Sequence, residues 1–295
     1  MGSNVHWFTQ GTAFVTPVHD TYPFISSYSH ETLAGISALI TGSSRGIGLQ
    51  TAVHFAKAGC SKIAIAARSS LSDARLAVEK AAAEYGTTIN ILTLDLDVSS
   101  TEQTDAAAAE VKRAFGHLDI LINNAGHLSE FQSIGESDPY AWWKSWETNI
   151  HGTYLCIRSF LPLLLDSARP TVINVSSAGA QVINPGASAY QGSKFALCRL
   201  TEFLDAEYGK RGLVAIALNP GGVVTSLALG MPEHMMTLLK DTVELSADTM
   251  VWLCMERREW LSGRFVTATW NMEELAKRRE EIVGKDLLKF RMAFE

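Results

Sequence analysis

Cysteine is scarce in this chain. The four present (Cys60, Cys156, Cys198 and Cys254) lie far apart in 295 residues. No C-x-x-C pair and no His/Cys ligand spacing occurs, so they read as buried free thiols in a reducing compartment. A disulfide framework and a zinc site are both disfavoured, and no metal is expected. No apolar run approaches the roughly 20 residues that a membrane-crossing helix needs. The opening MGSNVHWFTQG lacks the charged start and apolar core of a signal peptide. It also lacks Ser or Thr at the sixth position, which a myristoylation signal requires. With a net charge of −6 and no block of Lys or Arg, a nucleic-acid footprint is excluded. These absences point to a cytoplasmic protein without a nucleic-acid or membrane partner. What is present is a globular balance, 47% hydrophobic and 19% charged, long enough to bury a large core.

The chain divides into three parts. Residues 1–34 are aromatic and turn-rich without a sustained period, and read as an extension draped over the main body. Residues 35–270 alternate short apolar, β-branched runs with longer amphipathic ones, and no internal repeat or linker interrupts them. The runs predict strands at Ser37–Thr41, Lys62–Ala67, Ile89–Leu94, Ile120–Asn123, Thr171–Val175, Val214–Leu218 and Gly263–Thr267. Helices are predicted near 47–58, 72–85, 100–115, 137–165, 188–209 and 246–256. Such alternation specifies an α/β protein: a doubly wound parallel sheet of about seven strands with helices on both faces. The methionine-rich stretch 226–245 falls outside the alternation and reads equally as helical packing or as a pocket lid. The tail 271–295 reads as a solvated terminal helix, with Lys277, Arg278, Arg279, Glu280 and Glu281 on its charged face.

Several short motifs carry chemistry. TGSSRGIG (Thr41–Gly48) follows an apolar strand and opens a helix, the context a dinucleotide fingerprint requires. Its glycines let a backbone approach a pyrophosphate, and the helix N-terminus behind them favours the anion. Downstream lie LDLDVSS with Asp97, NNAG (Asn123–Gly126), Asn149, Ser177 and AYQGSKF, which sets Tyr190 one helical turn before Lys194. A free phenol has a pKa of about 10. An ammonium one turn away favours the phenolate and brings proton exchange towards working pH.

In order and spacing, these strings resemble the short-chain dehydrogenase/reductase family, in its single-domain branch, from about Gly35 to Thr267. The resemblance implies a Rossmann-like three-layer fold and a nicotinamide dinucleotide held by the glycine turn: Gly42, Ser44, Arg45, Gly46, Ile47 and Gly48. Asp97 and Val98 would meet the adenine, and Asn124, Ala125 and Gly126 would support the central strand and the cofactor. Pro220, Gly221, Val223 and Thr225 of PGGVVT resemble the nicotinamide-side loop. The catalytic tetrad corresponds to Asn149, Ser177, Tyr190 and Lys194. Tyr190 would exchange a proton with the substrate oxygen, and Ser177 would hydrogen-bond that oxygen. Lys194 would lower the Tyr190 pKa and bind the ribose, and Asn149 would hold a relay water leading to Lys194. Ser176 is a rival to Ser177, but the spacing to Tyr190 favours the latter.

The second strand ends AIAARSS, with Ala67 where an NAD-binding carboxylate would stand and Arg68 and Ser69 after it. Arg68, joined by Arg45, suits the 2′-phosphate of NADP(H), which is favoured over NAD. Residues placed to line a substrate pocket are His127, Leu128, 181–183 and 226–240. They are mostly apolar and point to an apolar or aromatic ketone, aldehyde or alcohol. His127 reads as a pocket-wall or loop residue rather than a second acid. The extension and the LSGRFVTATWNMEEL tail are similar to those of fungal family members, many from secondary metabolism. The alternative is a cofactor-binding protein of the same fold with a non-redox role, as scaffold, regulator or cyclase. Family members pair through helices matching 137–165 and 188–209, so a homodimer or homotetramer is expected. Trp142, Trp143 and Trp146 on the first of these would serve an interface or a core alike.

Overall fold

A computed structural model describes residues 14–26 and 32–292. Seven strands form one parallel sheet: β1 Ser37–Thr41, β2 Lys62–Ala67, β3 Asn90–Asp95, β4 Ile120–Asn123, β5 Thr171–Val175, β6 Val214–Asn219 and β7 Arg264–Thr267, in the order β3-β2-β1-β4-β5-β6-β7. Parallel strands need crossover connections, and helices on both faces bury the sheet, which is why the strands read as unbroken apolar runs. Successive side chains split between the faces. Ile40, Ile63, Ile65 and Ile122 meet Phe55 and Met250 on one side, while Leu39, Ala64, Leu121 and Val172 meet Val111 and Phe160 on the other.

The helices are α1 Gly46–Lys57, α2 Ser72–Glu84, α3 Thr101–Phe115, α4 Pro139–Trp146, α5 Thr153–Leu165, α6 Ser188–Tyr208 and α7 Val243–Met255, followed by α8 Met272–Lys277 and α9 Arg279–Gly284. Their ends follow local chemistry. The Ser100 hydroxyl accepts from the Gln103 amide to start α3, which stops at Gly116 with φ +86°. Asp138 caps α4 through the Ala141 amide at 2.7 Å, with Pro139 in the first turn.

Three segments depart from the sequence reading. The single helix expected over 137–165 is two helices, α4 and α5, joined by a π-helical turn at Glu147–Gly152. Such turns have no periodic signature and recur at functional sites. The tail is not one solvated helix but the short pair α8 and α9, with Met272, Leu275 and Ile282 buried; beyond them Phe290 meets Phe265 and Phe195 edge-on. The stretch 226–245 holds two 3₁₀ turns, Ala228–Gly230 and Glu233–Leu238, before α7 begins at Val243.

Of the extension, residues 1–13 and 27–31 lie outside the described residues. Val15 and Ile25 are buried in the main core, and Pro17 bridges Trp270. Between β1 and β4 the strand order reverses, which opens a crevice at the carboxyl ends of the strands. Among the described residues, no helix is long and apolar enough to cross a membrane.

Candidate active site

The crevice is shaped by close backbone contacts. Gly42 takes φ +65°, and a Cβ there would lie 2.8 Å from the Ala125 Cα. A Cβ on Gly48 would lie 2.5 Å from both the Gly42 carbonyl oxygen and Asn124 Nδ2. Those contacts press the start of α1 against the ends of β1 and β4. Asn124 Nδ2 donates to the carbonyls of Thr41 (2.9 Å) and Gly42 (3.1 Å), and the Thr41 hydroxyl accepts from the Asn124 and Ala125 amides, each at 3.0 Å. No side chain caps α1. Gly46, Ile47 and Gly48 of its first turn border the crevice, and with no side-chain cap among the described residues that helix start is a ready site for a phosphate.

The resulting cavity, of about 580 Å³, is bordered by the whole glycine turn (Gly42, Ser44, Arg45, Gly46, Ile47 and Gly48), by Arg68 and Ser69, and by Asp97, Val98, Asn124, Ala125 and Gly126. Tyr190, Lys194, Pro220 and Thr225 complete the sequence-predicted set on its walls, while Gly221 and Val223 border the neighbouring cavity instead. At one end Ser69 Oγ donates to Ser44 Oγ at 2.9 Å, and Arg68 stands 3.5 Å from Asp97. Partial burial works against the Asp97 carboxylate, yet the Ser99 hydroxyl and amide and the Arg68 charge together hold its pKa below the ordinary value. With glycine backbone, the start of a helix and two arginines in one trough, the residues fit a dinucleotide.

At the other end, α6 presents Tyr190 in its first turn and Lys194 one turn on. Lys194 is 4% exposed; its Nζ lies 5.7 Å from the centre of the Tyr190 ring and donates to the Val175 carbonyl at 2.7 Å. Burial pulls the Lys194 pKa down to about 8. Burial pushes the Tyr190 phenol up, and the Ser177 hydroxyl offsets only part of that. In the protein alone, then, desolvation rather than Lys194 sets the direction for the phenol, opposite to the shift that the Tyr-x-x-x-Lys spacing led us to expect.

The two serines differ in their hydroxyls. Ser176 borders both cavities, but its Oγ donates to the Lys194 carbonyl at 3.0 Å; Ser177 accepts from the Gly179 amide and borders the second cavity beside Tyr190. Asn149, in the π-helical turn, is fully buried and lines neither cavity. Its Oδ1 accepts from the His127 amide (2.8 Å), and its Nδ2 donates to the His127 carbonyl (3.0 Å) and to Ser193 Oγ (2.9 Å). Ser193 in turn donates to the Tyr190 carbonyl at 2.7 Å. Sequence reasoning missed Ser193, because its importance rests on a partner 44 residues away.

A second cavity of about 440 Å³ adjoins the first across Tyr190. Leu128, Phe131, Val182, Met231, Met235 and Leu238 give it apolar walls, so the 226–240 segment forms part of a pocket. His127 borders the first cavity rather than this one, and Ile183 is 81% exposed and borders neither. Burial, then the Lys144 and Arg68 charges, lower the His127 pKa. Pro17, His19 and Asp241 also line this pocket, and nothing in the sequence pattern singled them out.

Comparison with known proteins agrees with this geometry. The model of the family described as short chain dehydrogenase matches residues 37–235. The chain is 45% identical over 284 residues to a short chain dehydrogenase, mpl6, of Monascus purpureus, covering 96% of this chain and 97% of that protein. Among solved structures, it resembles a short chain dehydrogenase of Shigella flexneri complexed with NADP (TM-score 0.72, 25% identity, covering 81% of this chain and 99% of the other). It also resembles a 3-ketoacyl-(acyl-carrier-protein) reductase of Brucella melitensis complexed with NADH (TM-score 0.70, 27% identity, covering 80% and 97%).

The closeness of Gly48 to two fixed atoms makes a direct test of the crevice. Gly48→Ala should weaken NADP(H) binding roughly tenfold or more, because overpacking must move Asn124 or the Gly42 carbonyl. Fluorescence titration with NADPH measures this, and an unchanged affinity contradicts the assignment of the crevice.

Proposed function

The chain belongs to the short chain dehydrogenase family, and we propose that it is an NADP(H)-dependent oxidoreductase that reduces a ketone or aldehyde on an apolar or aromatic small molecule to the alcohol. The observation that carries this reading is the place of Tyr190: it borders both the polar trough and the apolar pocket, where a cofactor in one and a carbonyl in the other would meet.

When bound, the reduced nicotinamide supplies the hydride that adds to the carbonyl carbon. The protein's own groups do the rest. Tyr190 gives its phenolic proton to the carbonyl oxygen, and Ser177 donates a hydrogen bond to the same oxygen as negative charge builds there. Lys194, with a pKa near 8, favours the phenolate left behind and exchanges protons close to neutral pH. Asn149 acts as a positioning residue: through Ser193 and the His127 backbone it fixes the floor on which Tyr190 stands. Its Oδ1 and Lys194 Nζ both face Gly126, at 3.4 and 3.7 Å from where a Cβ on that glycine would stand.

Preference for NADP(H) is supported by Ala67, Arg68 and Arg45 at the ribose end of the trough. The solved relatives carry NADP in one case and NADH in another, so residue chemistry bears the choice. Arg68 is exposed and its 3.5 Å pairing with the partly buried Asp97 holds it only weakly, so it can turn to a phosphate. The same reading takes the chain as a cytoplasmic homodimer or homotetramer, with Tyr140 and Trp143 exposed on α4. It places the substrate in secondary metabolism, as the resemblance of the extension and tail to fungal family members implies; the mpl6 relative is itself fungal.

Tyr190→Phe should lower turnover of aromatic ketones by roughly 10²–10⁴-fold while leaving NADPH binding intact. Equal turnover in the variant, followed by NADPH absorbance, contradicts the proton-transfer role. Arg68→Asp should move the ratio of kcat/KM values for NADPH and NADH towards NADH, and an unmoved ratio contradicts the cofactor assignment.

A further inference from the structure

His19 comes from the extension, yet it lines the apolar pocket together with groups from the far end of the chain. Its backbone is clamped on both sides: the Val18 amide donates to the Thr269 carbonyl at 2.7 Å, and the Thr242 amide donates to the His19 carbonyl at 3.0 Å. Asp20 accepts from the Thr242 hydroxyl at 2.8 Å, and Thr21 donates to buried Asp248. The imidazole is oriented too. His19 Nδ1 lies 2.5 Å from Asp241 Oδ1, and Asp241 Oδ2 accepts from the Gly222 amide at 2.6 Å. The Asp241 side chain is only 5% exposed, whereas that of His19 is 45% exposed.

Several polar groups in this pocket are committed to protein partners, while Gln181 and Lys240 also line it. Both Asp241 oxygens are used, Asn219 Nδ2 donates to the Thr267 hydroxyl, and Gln191 Oε1 accepts from the Asn184 amide. His19 Nε2 has no partner among the described residues. A carboxylate at Nδ1 places the proton of a neutral imidazole on that nitrogen, which leaves Nε2 as a hydrogen-bond acceptor. An acceptor standing in an apolar pocket selects a donor. Among the functions that an apolar carbonyl compound can carry, that donor is a hydroxyl.

Resting on the carbonyl-reducing reading of this site, we propose that His19, held by Asp241, is a specificity-determining residue. It accepts a hydrogen bond from a second hydroxyl on the ketone substrate, a phenol or an alcohol remote from the carbonyl that Tyr190 serves. The extension then supplies part of the substrate site and does more than cover the core, and the preferred substrates are hydroxylated cyclic or aromatic ketones.

The probes are 1-tetralone and its 5-, 6- and 7-hydroxy derivatives, titrated calorimetrically into the full chain with NADP⁺ present. At least one hydroxylated isomer should bind about tenfold more tightly than the parent, the usual size of one added hydrogen bond. That preference should vanish in His19→Leu and persist in part in His19→Gln, which retains an acceptor. The ratio between ketones is the readout, because a merely structural role would weaken all of them alike. Equal affinities for parent and hydroxylated ketones in the unaltered protein overturn the proposal, as does a preference that survives His19→Leu. NADPH consumption is scored separately. Selective binding without turnover removes the reductase reading and leaves His19 its role, while turnover without selectivity does the reverse.

Discussion

The contact of Gly48 with the Gly42 carbonyl and the Asn124 amide is the constraint on which the site depends. It sets how near α1 can come to the sheet, and so where its first turn stands. Asn124 ties that approach to two strands at once, since its side chain bonds the end of β1 from the end of β4. The reversal of strand order creates a crevice there in any such sheet. The close approach of the Gly48 and Gly42 backbones to each other and to the Asn124 side chain gives this one its floor.

From that floor the chemistry follows by burial. Lys194 reaches the cavity from beneath, anchored on the last carbonyl of β5 and almost shut off from water. The same desolvation that brings its pKa to about 8 keeps the phenol beside it protonated. In the proposed reaction the two groups serve as an acid with a proton to give and a base that titrates close to neutrality.

Much of this was legible in the sequence, for identifiable reasons. The inner strands were found because burial on both faces leaves apolar runs, the edge strand β3 because its apolar residues interleave with polar ones, and the glycine turn because a tight strand-to-helix turn needs glycine. Tyr190 and Lys194 were found because one helical turn is a fixed spacing. What stayed hidden depended on distant partners. The π-helical turn around Asn149 left no mark in the apolar period of 137–165. The tail hid its break because Met272, Leu275 and Ile282 keep a helical spacing while packing on elements far away in sequence. His19 finds Asp241 across 222 residues, and no local pattern encodes such a pair. The direction of the Tyr190 shift was also beyond reach, because it depends on burial and spacing alone says nothing of that.

The central claim is that the two cavities meeting at Tyr190 hold the two partners of one hydride transfer. The most direct measurement incubates the protein with a hydroxylated tetralone and NADPH carrying deuterium at the transferring position of the nicotinamide, then locates the label by mass spectrometry and proton NMR. The account predicts an alcohol with one deuterium on the carbinol carbon. An unlabelled alcohol, or NADPH left unconsumed across a panel of apolar and aromatic ketones, would contradict it.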